Sequence, residues 1–445
     1  MITEIRAEKR IRASVRRKHL LRTICFALSW FICEAWPRVG AEERERSGDR
    51  WSDAPIWQLD IRPPDFQPLP IVPGRPVDNG TSRQMFFTSE SALVTAFVTP
   101  ISEPSEPEKK NQDHALKWLL HATVIDATTG RVQITKEWSI DSPRSRIMPD
   151  GRDGLLVLSP GRIIRYSSEL EPTKELPLTY PKRTNGDMPD VLQSPSGKAI
   201  LLRFCDNADP SSPEGWFTGH YDFIWIDAQT LTVARSWSEP ESENTWHGSE
   251  YVMARGGSAM TISDNEIAWG VDGAVLVRRL DQPWRLICYL RPECGSPEFV
   301  SNDYLLTHFW NQPSTKSNKS IEIMSSEGRT ILRQQIAYKD TDSLGLLRVS
   351  ANGRRFALVS YSDSGEIDFA DFHLRSSHQT VREVLVLDIP SGRRAYSLHP
   401  KHKIKGTAGG PFPLQGLALS PDGSQMAIFF EHILQVFRLP GLRPE

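Results

Sequence analysis

The chain has 445 residues, 39% of them hydrophobic, with 29 Gly, 33 Pro and a formal net charge of −2. That apolar share, with glycine added, is ordinary for a folded globular chain and excludes wholesale disorder. The absence of an uninterrupted apolar run of about 18 residues excludes a polytopic helical membrane protein.

Residues 1–22 carry Arg6, Lys9, Arg10, Arg12, Arg16, Arg17, Lys18 and Arg22 against Glu4 and Glu8. The uncharged run Thr23–Cys33 follows, and Val39-Gly40-Ala41 then sets small residues at the −3 and −1 places of a cleavage site. A basic head, a short apolar middle and a small-residue exit read as a signal peptide over 1–41, so the protein is expected to be extracytoplasmic, either periplasmic or secreted. The alternatives are an uncleaved anchor and a start codon set ahead of a cytosolic protein. Residues 1–41 hold nine Lys/Arg and three Asp/Glu, so the exported chain has a net charge of −8 and no integral membrane span. A mildly acidic chain lacks the basic footprint that a nucleic-acid backbone requires, so no nucleic-acid partner is expected. Of five cysteines, Cys25 and Cys33 leave with the signal. An oxidising compartment can join Cys288 to Cys294 and leave Cys205 single; the alternative is three reduced, buried thiols.

Residues 42–82 are charged, then rich in proline: Pro55, Pro63, Pro64, Pro68, Pro70, Pro73 and Pro76. Proline cannot donate to a sheet ladder, so this segment reads as an extended lead-in, with the short run Ile56–Ile61 able to form an edge strand.

From about residue 83 a theme recurs. A strand ends in Ser-Pro-Asp-Gly or a near copy, and an apolar strand follows. The clearest copy is Ser420-Pro421-Asp422-Gly423 ahead of Met426–Phe430. Others are Ser194-Pro195-Ser196-Gly197, Ser350-Ala351-Asn352-Gly353 and Met148-Pro149-Asp150-Gly151, with degenerate copies at Ser263-Asp264-Asn265, Ser301-Asn302-Asp303 and Ser89-Glu90-Ser91. Each is a hairpin turn because Pro fixes φ, Asp or Asn bonds nearby backbone, and Gly or Asn accepts positive φ. A second theme follows each copy: an apolar strand, a turn and a polar-alternating strand. Its turns are Asp126-Ala127-Thr128-Thr129-Gly130, Asp227-Ala228-Gln229-Thr230, Asp388-Ile389-Pro390-Ser391-Gly392 and Ser325-Ser326-Glu327-Gly328. Together they give seven units of four short strands, with turns near residues 89, 148, 194, 263, 301, 350 and 420. The seventh unit ends after three strands, at Ile433–Leu439. A closed ring needs a fourth strand there, which the lead-in can supply.

These turns make residues 83–440 resemble the seven-bladed β-propellers of the WD40-like and YVTN-like groups, although no Trp-Asp dipeptide occurs. The expected fold is all-β, a seven-bladed propeller of four-stranded antiparallel blades behind a signal segment and a proline-rich lead-in. Asp126–Gly130 is also similar to one blade turn of a quinoprotein propeller.

Surplus length falls between the second and third strands of units one (100–115), three (206–219), five (311–320) and six (362–380), and between units at 238–257 and 400–413. In a propeller those two kinds of connection open on one face, and long loops on one face of a repeat array mark the binding face. In or beside them, unit three offers Trp216, Phe217 and His220, unit five presents Phe309 and Trp310 where its second strand meets the loop, and unit six offers Asp368, Asp371 and His373, the candidate binding residues. Aromatics anchor interfaces or stack on sugars. The competing reading packs those rings onto their own loops and leaves the acidic group solvated. No nucleophile elbow, phosphate loop, His-Glu-x-x-His or Cys-x-x-Cys occurs, so no catalytic residue, metal or cofactor is nominated. The expected function is therefore non-catalytic binding of a protein or glycan. The alternative is a propeller hydrolase, lactonase or quinone-dependent oxidoreductase with its site at the mouth of the central channel.

Overall fold

The computed structural model describes residues 52–61, 84–100, 118–140, 142, 145–180, 189–205, 220–240, 260–271, 274–289, 294–309, 320–335, 342–364, 378–401, 404–405, 416–430 and 433–442. The chain divides into two units, Met1–Arg50 and Trp51–Glu445. The first, which contains the signal segment expected at 1–41, lies outside the described residues, as does 62–83 of the lead-in. Every described element of the second is a strand.

The strands form seven antiparallel sheets around one axis. The first in chain order, β1 (Trp57–Asp60), belongs to the last sheet. Blade 1 is β2 (Gln84–Phe87), β3 (Ala92–Pro100), β4 (Trp118–Asp126) and β5 (Val132–Ile140). Blade 2 is β6 (Arg146–Pro149), β7 (Leu155–Ser159), β8 (Arg162–Tyr166) and β9 (Pro172–Pro177), and blade 3 is β10 (Asp190–Gln193), β11 (Ala199–Cys205), β12 (His220–Asp227) and β13 (Thr232–Pro240). Blade 4 is β14 (Met260–Ile262), β15 (Glu266–Val271), β16 (Ala274–Arg279) and β17 (Arg285–Tyr289), and blade 5 is β18 (Cys294–Phe299), β19 (Tyr304–Phe309), β20 (Ser320–Ser325) and β21 (Thr330–Gln335). Blade 6 is β22 (Asp342–Val349), β23 (Arg355–Ser364), β24 (His378–Asp388) and β25 (Arg394–Leu398), with a fifth short strand, β26 (Ile404–Lys405), paired to Thr380–Val381 of β24. Blade 7 is β27 (Gly416–Leu419), β28 (Gln425–Phe430), β29 (Ile433–Arg438) and β1. The molecule is a seven-bladed β-propeller.

β26 falls inside the 400–413 segment read from the sequence as pure insertion. It forms because β24 runs on beyond the end of β25, and Ile404–Lys405 covers the edge left bare.

Among the described residues there is no single core. The buried apolar residues fall into seven clusters, one in each wedge between neighbouring blades. Side chains alternate faces along a strand, so a middle strand feeds two wedges and is apolar on both faces along most of its length. On β23, Phe356 and Leu358 pack toward blade 5 while Ala357 and Val359 pack toward blade 7. Outer strands have one wet face and alternate, as β5 does with Ile134, Lys136 and Trp138 half-buried between exposed neighbours.

The first strands of neighbouring blades pack on one another, β2 on β27, β27 on β22, β18 on β14, β14 on β10 and β2 on β6, which makes them the inner ring. Their free edges would leave backbone groups unpaired, and side chains of the next blade bond several of them. Ile147 N–H donates to Gln84 Oε1 (2.6 Å), Phe299 N–H to Thr261 Oγ1 (3.2 Å), and Gln193 Nε2 to the Pro149 carbonyl (2.6 Å).

The Ser-Pro-Asp-Gly turns are built as their residues dictate. At 420–425, Ser420 Oγ accepts from Gln425 N–H (2.9 Å) and donates to Asp422 Oδ1 (2.7 Å), which accepts from Ser424 N–H (2.8 Å), and Gly423 sits at φ +74°. The Ser350 turn repeats this with Asn352 and Gly353. The turns also hold blade to blade. Ser196 Oγ donates to Asp264, Asn302 Nδ2 to Asp264 Oδ2 (2.7 Å), Asn352 Nδ2 to the Asp422 carbonyl (3.0 Å), and Gln425 Nε2 to the Glu90 carbonyl (3.3 Å).

Closure is made by β1, which pairs antiparallel with β29, Trp57 opposite Val436 and Asp60 opposite Ile433. Trp57 Nε1 donates to the Ala127 carbonyl of blade 1 (2.7 Å), so one ring ties the outer edge of blade 7 to its neighbour.

Candidate functional site

Strand order assigns each connection to a rim. The turns joining first to second and third to fourth strands stand on one rim, and each described one is three to five residues long. The opposite rim takes the connections from second to third strands and from blade to blade. Residues 101–117, 206–219, 310–319 and 365–377 all link second to third strands, in blades 1, 3, 5 and 6. In blades 2, 4 and 7 the equivalent links are two residues long: 160–161, 272–273 and 431–432.

In the sequence, the candidate binding residues fall within or at the ends of the connections between second and third strands of blades 3, 5 and 6. His220 opens β12 and Phe309 closes β19, and the side chains of both lie outside the described set. Trp216, Phe217, Trp310, Asp368, Asp371 and His373 lie outside the described residues. Cys288 on β17 is a free thiol with Sγ 3.7 Å from Met324 Sδ; burial is the main influence that pushes it up from its ordinary value. Cys294 begins β18 in the next blade, and its side chain is not among those described.

Two polar groupings escape sequence motifs because they form across strands. The first is on blade 1, on the face turned to blade 7. His121 stacks on Phe97 (centroids 4.6 Å apart), with Nε2 2.8 Å from Thr99 Oγ1 and Nδ1 2.7 Å from Glu137 Oε1. The three residues lie on β3, β4 and β5, where register makes Phe97, His121 and Glu137 direct neighbours. Below them the seam narrows to a small apolar cavity lined by Ile61, Met85, Thr95, Phe97, Gly416 and Phe429.

The second grouping lies on the inner ring, near the tight-turn rim. Thr261 of β14, Glu298 of β18 and Arg348 of β22 come from three successive blades, and the Thr261 hydroxyl bonds the Glu298 carboxyl. Enclosure by the surrounding blades pushes Glu298 up to about 7, against the opposing pull of Arg348 and of Thr261. The same enclosure lowers Arg348, against Glu298 and Tyr361. Glu298 is nevertheless half-buried and Arg348 exposed, so water reaches both along the channel.

Two buried arginines among the described residues hold a carboxylate partner. Arg203 is buried 2.6 Å from Asp190, and Arg355 is buried 2.9 Å from Asp388. Between blades 3 and 4, Arg278 lies over the rings of Trp284 (4.5 Å) and Trp237 (5.0 Å), and Trp269 packs beside Trp284. Among the described residues no group of three His, Cys, Asp or Glu is placed to hold a metal ion, and no helix is long and apolar enough to cross a membrane.

No family model matches the chain, and no curated protein matches it. Among solved structures it is similar to the WD40 domain of Neurospora crassa Pan2, at 11% identity and a TM-score of 0.44 over 89% of this chain and 97% of that one. It is similar to the acylaminoacyl peptidase of Pyrococcus horikoshii, at 11% identity and a TM-score of 0.45 over 78% of this chain and 48% of that one, so it spans about half the peptidase. An oligogalacturonate lyase in complex with manganese is similar at 14% identity and a TM-score of 0.41, over 81% of this chain and 96% of that one. These neighbours, a WD40 domain and two enzymes, are alike in architecture alone.

Proposed function

We propose that this propeller is an exported, non-catalytic binding module that takes a protein or glycan partner on the rim bearing its long connections. The observation that carries the reading is the asymmetry between rims. One is confined to short turns bonded blade to blade, and the other takes every long connection between second and third strands. A closed ring holds its outgoing strand ends fixed around one axis, which lowers the ordering cost of binding. Trp216, Phe217 and His220 in blade 3, Phe309 and Trp310 in blade 5, and Asp368, Asp371 and His373 in blade 6 are the residues assigned to contact the partner. Export rests on the basic head and apolar run of residues 1–41. The enzyme reading has one observation in its favour, the near-neutral Glu298 carboxyl inside the channel.

The test is capture of partners from envelope extract and on a glycan array, with wild type beside Trp216→Ala/Trp310→Ala. A partner held by wild type and lost by a double mutant of unchanged melting temperature supports rim binding. Capture that survives the double mutation, or a double mutant that unfolds, overturns the assignment of these rings.

A further inference from the structure

We propose that Arg348, Glu298 and Thr261 form a binding site for a small organic carboxylate at the tight-turn end of the central channel. The argument starts from position. On each inner strand one residue stands just ahead of the hairpin turn. In blades 7, 1, 2 and 3 it is Ala418, Phe86, Met148 and Leu192; in blades 4, 5 and 6 it is Thr261, Glu298 and Arg348. One arc of the ring is therefore polar and the rest apolar. Within the arc the charges do not cancel. Arg348 is exposed to the channel, its hydrogen bond goes to the carbonyl of its own neighbour Leu347 (2.7 Å), and no carboxylate among the described residues comes within ion-pair distance. Arg203 and Arg355 each hold such a partner. The carboxyl opposite, Glu298, is kept toward its neutral form by enclosure. Around Glu298, β14 offers the Thr261 hydroxyl, β22 offers Arg348, and β19 sets the apolar Leu306 opposite in register. β15 carries Glu266, which is engaged by Arg279 at 3.1 Å. The Tyr361 phenol faces Arg348 and is held protonated by burial.

An unneutralised guanidinium beside a protonated carboxyl is a cation with an added donor. A carboxylate ligand accepts two parallel bonds from the guanidinium fork and one from the Glu298 hydroxyl. Above neutrality Glu298 ionises, its donor is lost and its charge repels the ligand. A cationic ligand gains nothing from the arc at low pH. Affinity for a carboxylate must therefore fall as pH rises through about 7.

The experiment uses the full chain, with sodium propionate as probe and methylammonium chloride as control, in titration calorimetry at constant ionic strength at pH 6 and pH 8. Propionate is expected to bind at pH 6 and at least about tenfold more weakly at pH 8, with no binding of methylammonium at pH 6. Glu298→Gln, which keeps a donor at every pH, is expected to bind equally at both; Arg348→Ala is expected to bind at neither. Should Arg348→Ala lose the fold by circular dichroism, Arg348→Lys replaces it and is expected to weaken binding several-fold. Absence of propionate binding at pH 6, unchanged affinity in the Arg348 variant, or a pH loss persisting in Glu298→Gln would each overturn the proposal.

Discussion

Arg355 shows how one side chain joins two blades. It sits at the start of β23, 1% exposed, with Nε on Asp388 Oδ1 (2.9 Å) and Nη1 on the Gly423 carbonyl of blade 7 (2.8 Å). Arg393 Nη2 holds the other oxygen of Asp388 at 2.7 Å. Removing one partner of a buried pair strands the other charge, at a cost of about 3–5 kcal/mol. Because Arg393 still holds Asp388, Arg355→Ala is expected to lower the unfolding free energy by somewhat less, about 2–3 kcal/mol, in urea titration at constant m-value. Glu90 and Asp422 make a pH-dependent contact at the seam of blades 1 and 7. Both residues are exposed, yet partial desolvation and then the hydrogen bond and charge of the neighbouring Asp422 push Glu90 up to about 7. Burial pulls Asp422 up as well, but hydrogen bonds from Glu90, Ser424 N–H and Ser420 outweigh it and hold it at about 2. The folded value of Glu90 exceeds its unfolded one, so its contribution is full below about pH 4.5 and is lost as pH rises through 7. Asp422 behaves oppositely, and its contribution is lost as pH falls toward 2. Comparing melting temperatures of wild type and Glu90→Gln at pH 5 and pH 8, wild type is expected to drop more between them. Equal drops would show that this contact does not report on stability. Asp422 was legible as a turn former, since Ser-Pro-Asp-Gly states its own geometry. Its coupling to Glu90 was not, because the two are joined only when the ring closes.

At the level of strands, closure depends on Trp57. Its indole bonds the Ala127 carbonyl and lies against Gly130, where an added Cβ would come within 2.8 Å of the ring. Gly130 also needs φ +73°, so the Asp126–Gly130 turn and the tryptophan fit each other. Trp57→Ala is expected to cost about 2–4 kcal/mol, somewhat less than a fully buried tryptophan, measured by chemical denaturation. A loss below about 1 kcal/mol would mean that β1 holds by its ladder alone. The order of strands was readable because the two turn themes alternate and each has its own chemistry. The run Ile56–Ile61 stood out because it is a short, apolar-alternating stretch free of proline between Pro55 and Pro63. β26 was not readable: Ile404–Lys405 has no strand pattern of its own and pairs only because β24 outruns β25.

For the whole molecule, apolar surface is divided among seven wedges, and the middle strands are therefore apolar along most of their length. The number of sheets was legible from the seven hairpin turns, each followed by an apolar strand such as Ala199–Leu202 or Phe356–Val359. The candidate sites were legible to different degrees. The long rim follows from where surplus length falls between units. The Thr99–His121–Glu137 and Thr261–Glu298–Arg348 groupings have no local signature, because each is assembled from separate strands by register or by ring geometry. The antiparallel pairing of β1 with β29 has a mechanical corollary. Trp57 faces Val436 and Asp60 faces Ile433, so the chain enters β1 and leaves β29 at the same end of the pair. A force applied between residues 56 and 439 unzips that ladder one bond at a time and never loads it in shear. The ring therefore has a tear line at the β1–β29 ladder, and tension between those two points finds it first.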